Sequence, residues 1–120
     1  MDKTAIRDAA TVIVLRDDSV LMGQRGAGAA FMPGKFVFPG GAVDAGDKDI
    51  APQGLASACE ENLLRESALT PATLAAAAIR ELWEETGQIL GKQQAWPDPP
   101  PDWQGFANSG NRPDATGMQF

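Results

Sequence analysis

The chain has 120 residues, of which 43% are hydrophobic and 22% charged, values typical of a single globular domain in water. Its 16 acidic and 10 basic side chains give a net charge of -6, which argues against a nucleic-acid polymer as partner. The absence of histidine and the single cysteine exclude a histidine-containing zinc site and an internal disulfide, so oxygen atoms would hold any metal. The apolar run at residues 12–15 is too short for a signal peptide or a membrane span, which predicts a cytoplasmic protein with no membrane partner.

The first third of the chain predicts three short strands. Residues 11–15 and 19–24 are β-prone runs, and Arg16-Asp17-Asp18 between them favours a tight turn, so together they predict a hairpin. Residues 35–38 predict a third strand, and Pro39-Gly40-Gly41 predicts its abrupt end. Because proline lacks a backbone donor and two glycines permit close approaches, this corner is interpreted as a built feature.

The middle of the chain predicts two helices. The first is short and amphipathic, with apolar residues at Leu55, Cys59, Leu63 and Leu64. The second runs from about Pro71 to Thr86, with Thr70 as its N-cap and Gly87 at its end. Cys59 is interpreted as a small buried apolar residue, because the chain has no histidine to activate a thiol. Residues 88–90 indicate the start of another strand.

The last part of the chain gives the weakest structural signal. From Ala95 onward it carries five prolines, scattered glycines and asparagines, and no sustained alternation, which predicts an irregular tail without sheet. Trp96 and Trp103 lie in this tail, where aromatic side chains either pack loosely or stack on a ligand. The sequence does not decide between these two roles.

Three glutamates lie on one face of the second predicted helix. Glu81, Glu84 and Glu85 fall within an arc of roughly 100° at 3.6 residues per turn. The opposite face of the helix is apolar, which predicts that it docks on a sheet. The residues of this face are Ala75, Ile79, Leu82 and Trp83. Mg²⁺ or Mn²⁺ would relieve the repulsion among the carboxylates. The same pattern also fits a solvated helix face, on which Arg80 and Glu84 form an exposed ion pair worth about 0.3–0.5 kcal/mol.

Two motifs together favour a metal-dependent enzyme over a solvated helix face. Phe38-Pro39-Gly40-Gly41 follows a predicted strand, and Arg80-Glu81-Leu82-Trp83-Glu84-Glu85-Thr86-Gly87 closes a predicted helix. In this combination the chain resembles the Nudix hydrolases, whose signature ends in an arginine–glutamate pair, two adjacent glutamates and a glycine. It departs from the family in having Asp47 where a glutamate is usual, and Gln88 at an aliphatic place.

The spacing of the signature points to one branch of that family. Thirty-two residues separate Asp47 from Arg80, where the family usually has seven. An insertion at this point, together with Phe31-Met32-Pro33-Gly34 and Asp44, is similar to the branch that contains the peroxisomal coenzyme A diphosphatases and their bacterial relatives. The resemblance covers roughly residues 11–90.

The resemblance implies an α/β (α+β) fold, the Nudix-type α/β/α sandwich with a mixed sheet, here incomplete at its C-terminus. Residues 1–94 would form the N-terminal part of the domain, with the insertion at about 48–70, and residues 95–120 the irregular tail. An incomplete sheet leaves an unpaired edge, which predicts a homodimer or poor solubility.

The resemblance also implies an activity: Mg²⁺-dependent (or Mn²⁺-dependent) hydrolysis of a diphosphate bond in a nucleoside diphosphate derivative, of coenzyme A type or nucleotide type. Glu81, Glu84 and Glu85 would hold the metal with the Gly41 carbonyl, and Glu81 would orient or deprotonate a water. Arg80 would hold the glutamates in place.

Two residues are candidates on the substrate side. Gly40 would let its loop come close to the site, although both glycines could simply end a strand. Arg25 would meet a substrate phosphate, and a solvated charge at a strand end is an equal interpretation.

Two rival interpretations stay open at this point. In the first, the chain is a truncated or degenerate Nudix domain that turns over nothing and binds a metal or a partner. In the second, it is an all-α nucleotide pyrophosphatase, a class that also uses glutamate-bearing helices. The predicted hairpin and the single long helix argue against the second.

Overall fold

The computed structural model describes residues 8–24, 26–28, 34–66 and 69–119. Its strands are β1 (Ala9–Thr11), β2 (Leu15–Arg16), β3 (Ser19–Val20), β4 (Gly23–Gln24), β5 (Phe36–Val37), β6 (Gly40–Ala42), β7 (Gly91–Gln93) and β8 (Asn111–Pro113). Its helices are α1 (Ser57–Glu66), α2 (Pro71–Thr86) and α3 (Gln104–Asn108), with 3₁₀ turns at Ala45–Asp49 and Pro101–Trp103. The mixed α+β class predicted from the sequence is confirmed.

The strands pair locally. The described ladders are β1 with β6, β2 with β3, β4 with β5 and β7 with β8, and each is antiparallel. The predicted hairpin is present as β2 and β3, and its turn places Asp17 at a φ of 52°. Aspartate tolerates this left-handed conformation better than most residues, which explains the aspartate at position 17.

The corner at Pro39-Gly40-Gly41 agrees with the prediction in part. The third predicted strand is present as β5 and ends before Pro39, but both glycines then lie in a further strand, β6, where Gly40 pairs with Thr11 of β1. A side chain at Gly40 would place its Cβ 2.5 Å from the carbonyl oxygen of Ala10. The glycine is therefore required for the two strands to approach.

Helix α2 has the predicted bounds. The Thr70 side chain accepts a hydrogen bond from the backbone N–H of Thr73 at 3.2 Å, Pro71 fills the first turn, and Gly87 ends the helix at a φ of 76°. The buried face of α2 contacts β1 and β6. This packing holds the helix beside the glycine-containing strand.

The tail prediction is wrong in its main point. Residues 101–113 form a 3₁₀ turn, α3 and β8, and β8 pairs with β7, which lies just beyond the strand start predicted at 88–90. Trp103 and Phe106 are fully buried in a cluster with Ile50, Ile79 and other apolar residues. Tertiary burial produces this order, because the local sequence has neither periodicity nor strong propensity. The domain boundary itself stays a prediction.

The segment between the two halves of the signature is also structured. The short amphipathic helix is present as α1, and Cys59 on it is buried as expected. Just before α1, Gln53 forms a parallel bridge with Asp114 of the C-terminal segment. In the part of the chain that the structure describes, no helix has the length and apolarity needed to cross a membrane.

The β2–β3 hairpin has apolar side chains on both faces. Leu15 and Val20 are cross-strand partners, and a hydrogen bond from Leu21 to Val14 extends the pairing toward Ile13 and Met22. By alternation, these four residues share one side: Ile13, Leu15, Val20 and Met22. We call this side the outer hairpin face. Its residues are 41–70% exposed.

Candidate active site

Arg80 lies at the centre of the site. Its side chain is almost entirely buried, and its guanidinium presents one edge to Asp47. Nε donates to Asp47 Oδ1 at 2.9 Å, and Nη2 donates to Asp47 Oδ2 at 3.1 Å and to the carbonyl oxygen of Ala42 at 3.0 Å. This bidentate pair matches the fixed fork of the guanidinium. One edge of Arg80 is thereby fixed to the 3₁₀ turn and to β6.

Asp47 is fully buried and receives four hydrogen bonds. Besides the two from Arg80, the indole Nε1 of Trp103 donates to Oδ1 at 3.0 Å, and the backbone N–H of Asp44 donates to Oδ2 at 2.9 Å. Each carboxylate oxygen accepts two donors, which is the condition under which a buried charge is tolerated. Although Asp47 is shorter than the glutamate usual in the resembled signature, it reaches the arginine.

The opposite edge of Arg80 faces the helix glutamates. Its Nη1 donates to Glu84 Oε2 at 2.9 Å and to Glu81 Oε1 at 3.1 Å, and lies 3.3 Å from Asp44 Oδ2. Arg80 therefore connects a buried anchor to two of the predicted metal ligands. This is the orienting geometry expected of a residue that holds the glutamates.

Strand β6 brings the two glycines against the same helix. The backbone N–H of Gly40 donates to Glu85 Oε2 at 3.4 Å. A Cβ at Gly41 would lie 2.6–2.7 Å from the carboxylate atoms of Glu81. A side chain at Gly41 would thus displace that carboxylate, so the backbone and the acid can share this space only because residue 41 is glycine.

The electrostatics of the site disfavour a bare carboxylate at Glu81. Burial raises the pKa of Glu81; the charge and hydrogen bond of Arg80 lower it, and the charges of Glu84 and Glu85 raise it, with a net upward shift. Burial acts to lower the pKa of Arg80, but the hydrogen bond and charge of Asp47, with Glu84 and Glu81, raise it above its ordinary value. Arg80 therefore stays charged, and Glu81 lies where added positive charge is favourable.

The donor set suits a hard divalent cation. As placed, no three histidine, cysteine, aspartate or glutamate side chains in the described ranges stand close enough to hold a metal ion. Glu84 and Glu85 are exposed on the helix surface, where a cation from solvent can reach them. Carboxylate oxygens are the ligands that Mg²⁺ and Mn²⁺ prefer, and a cation would offset the repulsion that the charges of Glu84 and Glu85 exert on Glu81.

Most of the site residues predicted from the sequence come together. The structure brings into one region Gly40, Gly41, Arg80, Glu81, Glu84 and Glu85. Arg25 lies outside the described residues, as do Phe31, Met32 and Pro33 of the branch motif. Their predicted roles stay predictions.

Sequence reasoning missed the part played by Trp103. The indole of Trp103 was left open between loose packing and ligand stacking, and it is instead a buried donor to Asp47. Trp96 packs on Trp103 with ring centroids 5.8 Å apart and has Arg112 above its ring at 5.3 Å. Trp96 and Arg112 also line a cleft of about 630 Å³, which includes none of the glutamates of α2. The presence of two tryptophans in the tail was the only hint in the sequence of a role for Trp103. The sequence does not show that its partner is Asp47, 56 residues earlier.

In sequence and in fold, the chain is similar to the Nudix hydrolase superfamily. It is 31% identical over 115 residues to a Caenorhabditis elegans protein named as a nudix hydrolase (nudix hydrolase 7). That match covers 94% of this chain and 28% of the relative. It superposes on the crystal structure of a NUDIX hydrolase from Alicyclobacillus acidocaldarius with a TM-score of 0.63 and 26% identity. That match covers 94% of this chain and 59% of the solved one. No protein-family model matches the chain.

These comparisons support the predicted likeness to the Nudix superfamily. The chain spans less than two thirds of the length of either relative. The narrower likeness to coenzyme A diphosphatases stays a prediction.

Proposed function

We propose that the protein hydrolyses a diphosphate bond in a nucleoside diphosphate derivative, of coenzyme A type or nucleotide type, with Mg²⁺ or Mn²⁺ as cofactor. The observation that carries this proposal is the position of Arg80, which is anchored to buried Asp47 on one edge and pairs with Glu81 and Glu84 on the other. An ordinary solvated acidic helix face has no need of a buried arginine beneath it.

In this proposal, Glu81, Glu84 and Glu85 would hold the metal with help from the backbone of Gly41. The metal would neutralise charge on the bridging phosphates and lower the pKa of a bound water. Nudix hydrolases generally use divalent metals such as Mg²⁺.

The chain's own residues would divide the remaining work. Arg80 restrains Glu81 and Glu84, so that they are oriented before substrate arrives. Glu81, with its raised pKa and its position against β6, is the best candidate to orient an attacking water and take its proton. Gly40 leaves a backbone N–H beside Glu85, at the edge where a phosphate would lie.

The test is diphosphate hydrolysis by the purified 120-residue chain with Mg²⁺, using coenzyme A, nucleoside diphosphate sugars and dinucleotides as substrates. We expect Glu84→Gln to abolish turnover, because it removes a metal ligand without changing shape. Glu61→Gln, which removes the same charge from an exposed position of α1, serves as the matched control and should retain turnover.

The competing function is a degenerate Nudix domain that binds a metal or a partner without turnover. A folded wild-type chain that binds Mn²⁺ and hydrolyses none of these substrates would support that alternative. A folded chain that neither binds metal nor hydrolyses substrate would overturn the proposal altogether.

A further inference from the structure

We propose that Trp103, in the C-terminal segment, is a positioning residue for the metal-binding glutamates and acts through Asp47 and Arg80. This inference rests on the proposed function, since it concerns how the same site is held. It assigns a role to a part of the chain that lies beyond the signature helix.

Trp103 contacts Asp47 directly through a hydrogen bond. Both side chains are fully buried, and the indole N–H donates to Oδ1 at 3.0 Å. An indole is a donor only, so its N–H needs an acceptor when it is buried. Without the Trp103 indole, the buried Asp47 carboxylate would lose one of its four donors, which destabilises a charge that water cannot reach.

Trp103 and Arg80 bind the same oxygen of Asp47. Trp103 donates to the same Asp47 Oδ1 that accepts from Arg80 Nε. Because that oxygen is fixed from two directions, the carboxylate plane is fixed, and the guanidinium plane follows through the bidentate pair. The direction in which Arg80 Nη1 points toward Glu81 and Glu84 therefore depends on Trp103.

Arg80 would have to stay in place when the glutamates bind a cation. Arg80 Nη1 donates to one oxygen of each glutamate, Glu81 Oε1 and Glu84 Oε2, so each carboxylate can offer its other oxygen to a metal while it stays bonded to the arginine. The anchor on Asp47 must keep the guanidinium in place as this occurs. Loss of the Trp103 donor should consequently weaken metal binding as well as stability.

Aromatic side chains pack around Trp103 and hold it in place. Its ring lies 5.1 Å from that of Phe106, centroid to centroid, and the rings of Phe106 and Trp83 make a T-shaped contact with centroids 6.2 Å apart. Trp83 lies on α2 beside Glu84. Trp96 packs on Trp103, at 5.8 Å between centroids. Trp96 thus belongs to the same aromatic cluster without being the donor to Asp47.

The experiment is calorimetric titration of Mn²⁺ into the wild-type chain, Trp103→Phe and Trp96→Phe. Both variants trim one buried or half-buried indole to a smaller ring, but only the first removes the donor to Asp47. We expect Trp103→Phe to bind Mn²⁺ about tenfold more weakly, as is typical for loss of a residue behind the metal ligands. Trp96→Phe should stay close to the wild-type affinity.

A second measurement uses the wild-type chain alone and is independent of whether Trp103→Phe folds. In ¹H–¹⁵N spectra, Mg²⁺ should shift the indole resonance of Trp103 and leave that of Trp96 in place. A purely structural role for Trp103 would not couple its indole to metal.

The outcomes separate the inference from the function on which it rests. Equal Mn²⁺ affinity in wild type and folded Trp103→Phe, or an indole resonance that ignores saturating Mg²⁺, would overturn the positioning role and leave the proposed function standing. Failure of the wild-type chain to bind either metal would overturn both.

Discussion

Asp47 and Arg80 are 33 residues apart in sequence and form a two-point ion pair from which solvent is excluded, with Nε to Oδ1 at 2.9 Å and Nη2 to Oδ2 at 3.1 Å. Breaking such a pair leaves one charge buried without its partner. The pair therefore joins the stability of the domain to the orientation of its acidic helix.

Asp47→Asn should lower the free energy of unfolding by about 3–5 kcal/mol, the usual cost of removing one partner from a buried pair. Urea denaturation followed by circular dichroism measures this loss. Asp44→Asn is the control, because the Asp44 side chain is 44% exposed at 3.3 Å from the same arginine and should cost less than about 1 kcal/mol. Similar losses in the two variants would contradict the anchoring role of Asp47.

Alanine at the two neighbouring glycines should have different effects. In Gly41→Ala, the atoms nearest the new Cβ belong to the movable carboxylate of Glu81, so we expect a folded protein whose diphosphate turnover falls about a hundredfold through misplacement of that carboxylate. In Gly40→Ala, the new Cβ meets the backbone of Ala10 and Thr11, so we expect a loss of about 1–3 kcal/mol of stability. Thermal unfolding and steady-state kinetics on both variants check this division. An equally destabilised Gly41→Ala would argue against it.

Neutralising Glu81 should stabilise the metal-free protein near neutral pH. The folded-state pKa of Glu81 is raised by burial and by its acidic neighbours, so its ionisation opposes folding. This cost is absent below the unfolded pKa and is complete once the pH exceeds the folded pKa. In the presence of a chelator, Glu81→Gln should therefore melt above wild type at pH 7, with the difference vanishing near about pH 4.

Glu61→Gln controls for the general relief of negative charge in this acidic chain, since it removes one charge from an exposed site on α1. Its melting temperature should rise less than that of Glu81→Gln. A Glu81→Gln variant that melts below wild type at neutral pH would show that the bond from Arg80 outweighs burial.

Self-association stays a prediction, and the outer hairpin face supplies a physical reason for it. Four apolar side chains project from a hairpin whose other face is half-buried, and Leu15 among them is 70% exposed. Contiguous exposed apolar patches favour association. We expect sedimentation velocity to show a dimer that Leu15→Glu converts to monomer.

Leu64→Glu provides the control for the association experiment. Leu64 is 59% exposed on α1, away from the hairpin, so charging it should leave the dimer intact. A wild-type chain that sediments as a monomer at every concentration would contradict the prediction.

The sequence predicted those parts of the fold that depend on local chemistry. Thr70, Pro71 and Gly87 fix the ends of α2 through hydrogen-bonding capacity and backbone preference, and the observed bounds are the predicted ones. The acidic face followed from helical spacing alone. These features need no knowledge of the rest of the molecule.

What the sequence did not predict depends on contacts between distant residues. The end of β5 before Pro39 was predicted, but the strand that Gly40 and Gly41 form beside β1 was not, because a pairing partner from a distant part of the chain is visible only in the folded molecule. The tail was expected to be irregular, because nothing in its local pattern shows that Trp103 and Phe106 fill the core. The sequence could not indicate that Asp47 would find its third side-chain donor 56 residues later.

That separation has a consequence for biosynthesis. At roughly 5–20 residues per second, the ribosome needs about 3–11 s to add the 56 residues from Asp47 to Trp103. The arginine is added 33 residues into that interval, and from then on the Asp47–Arg80 pair still lacks the indole N–H of Trp103. The acidic helix can form on the nascent chain before Trp103 has been added, but its anchor becomes dry only afterwards, so the segment beyond the helix sets when the site is complete.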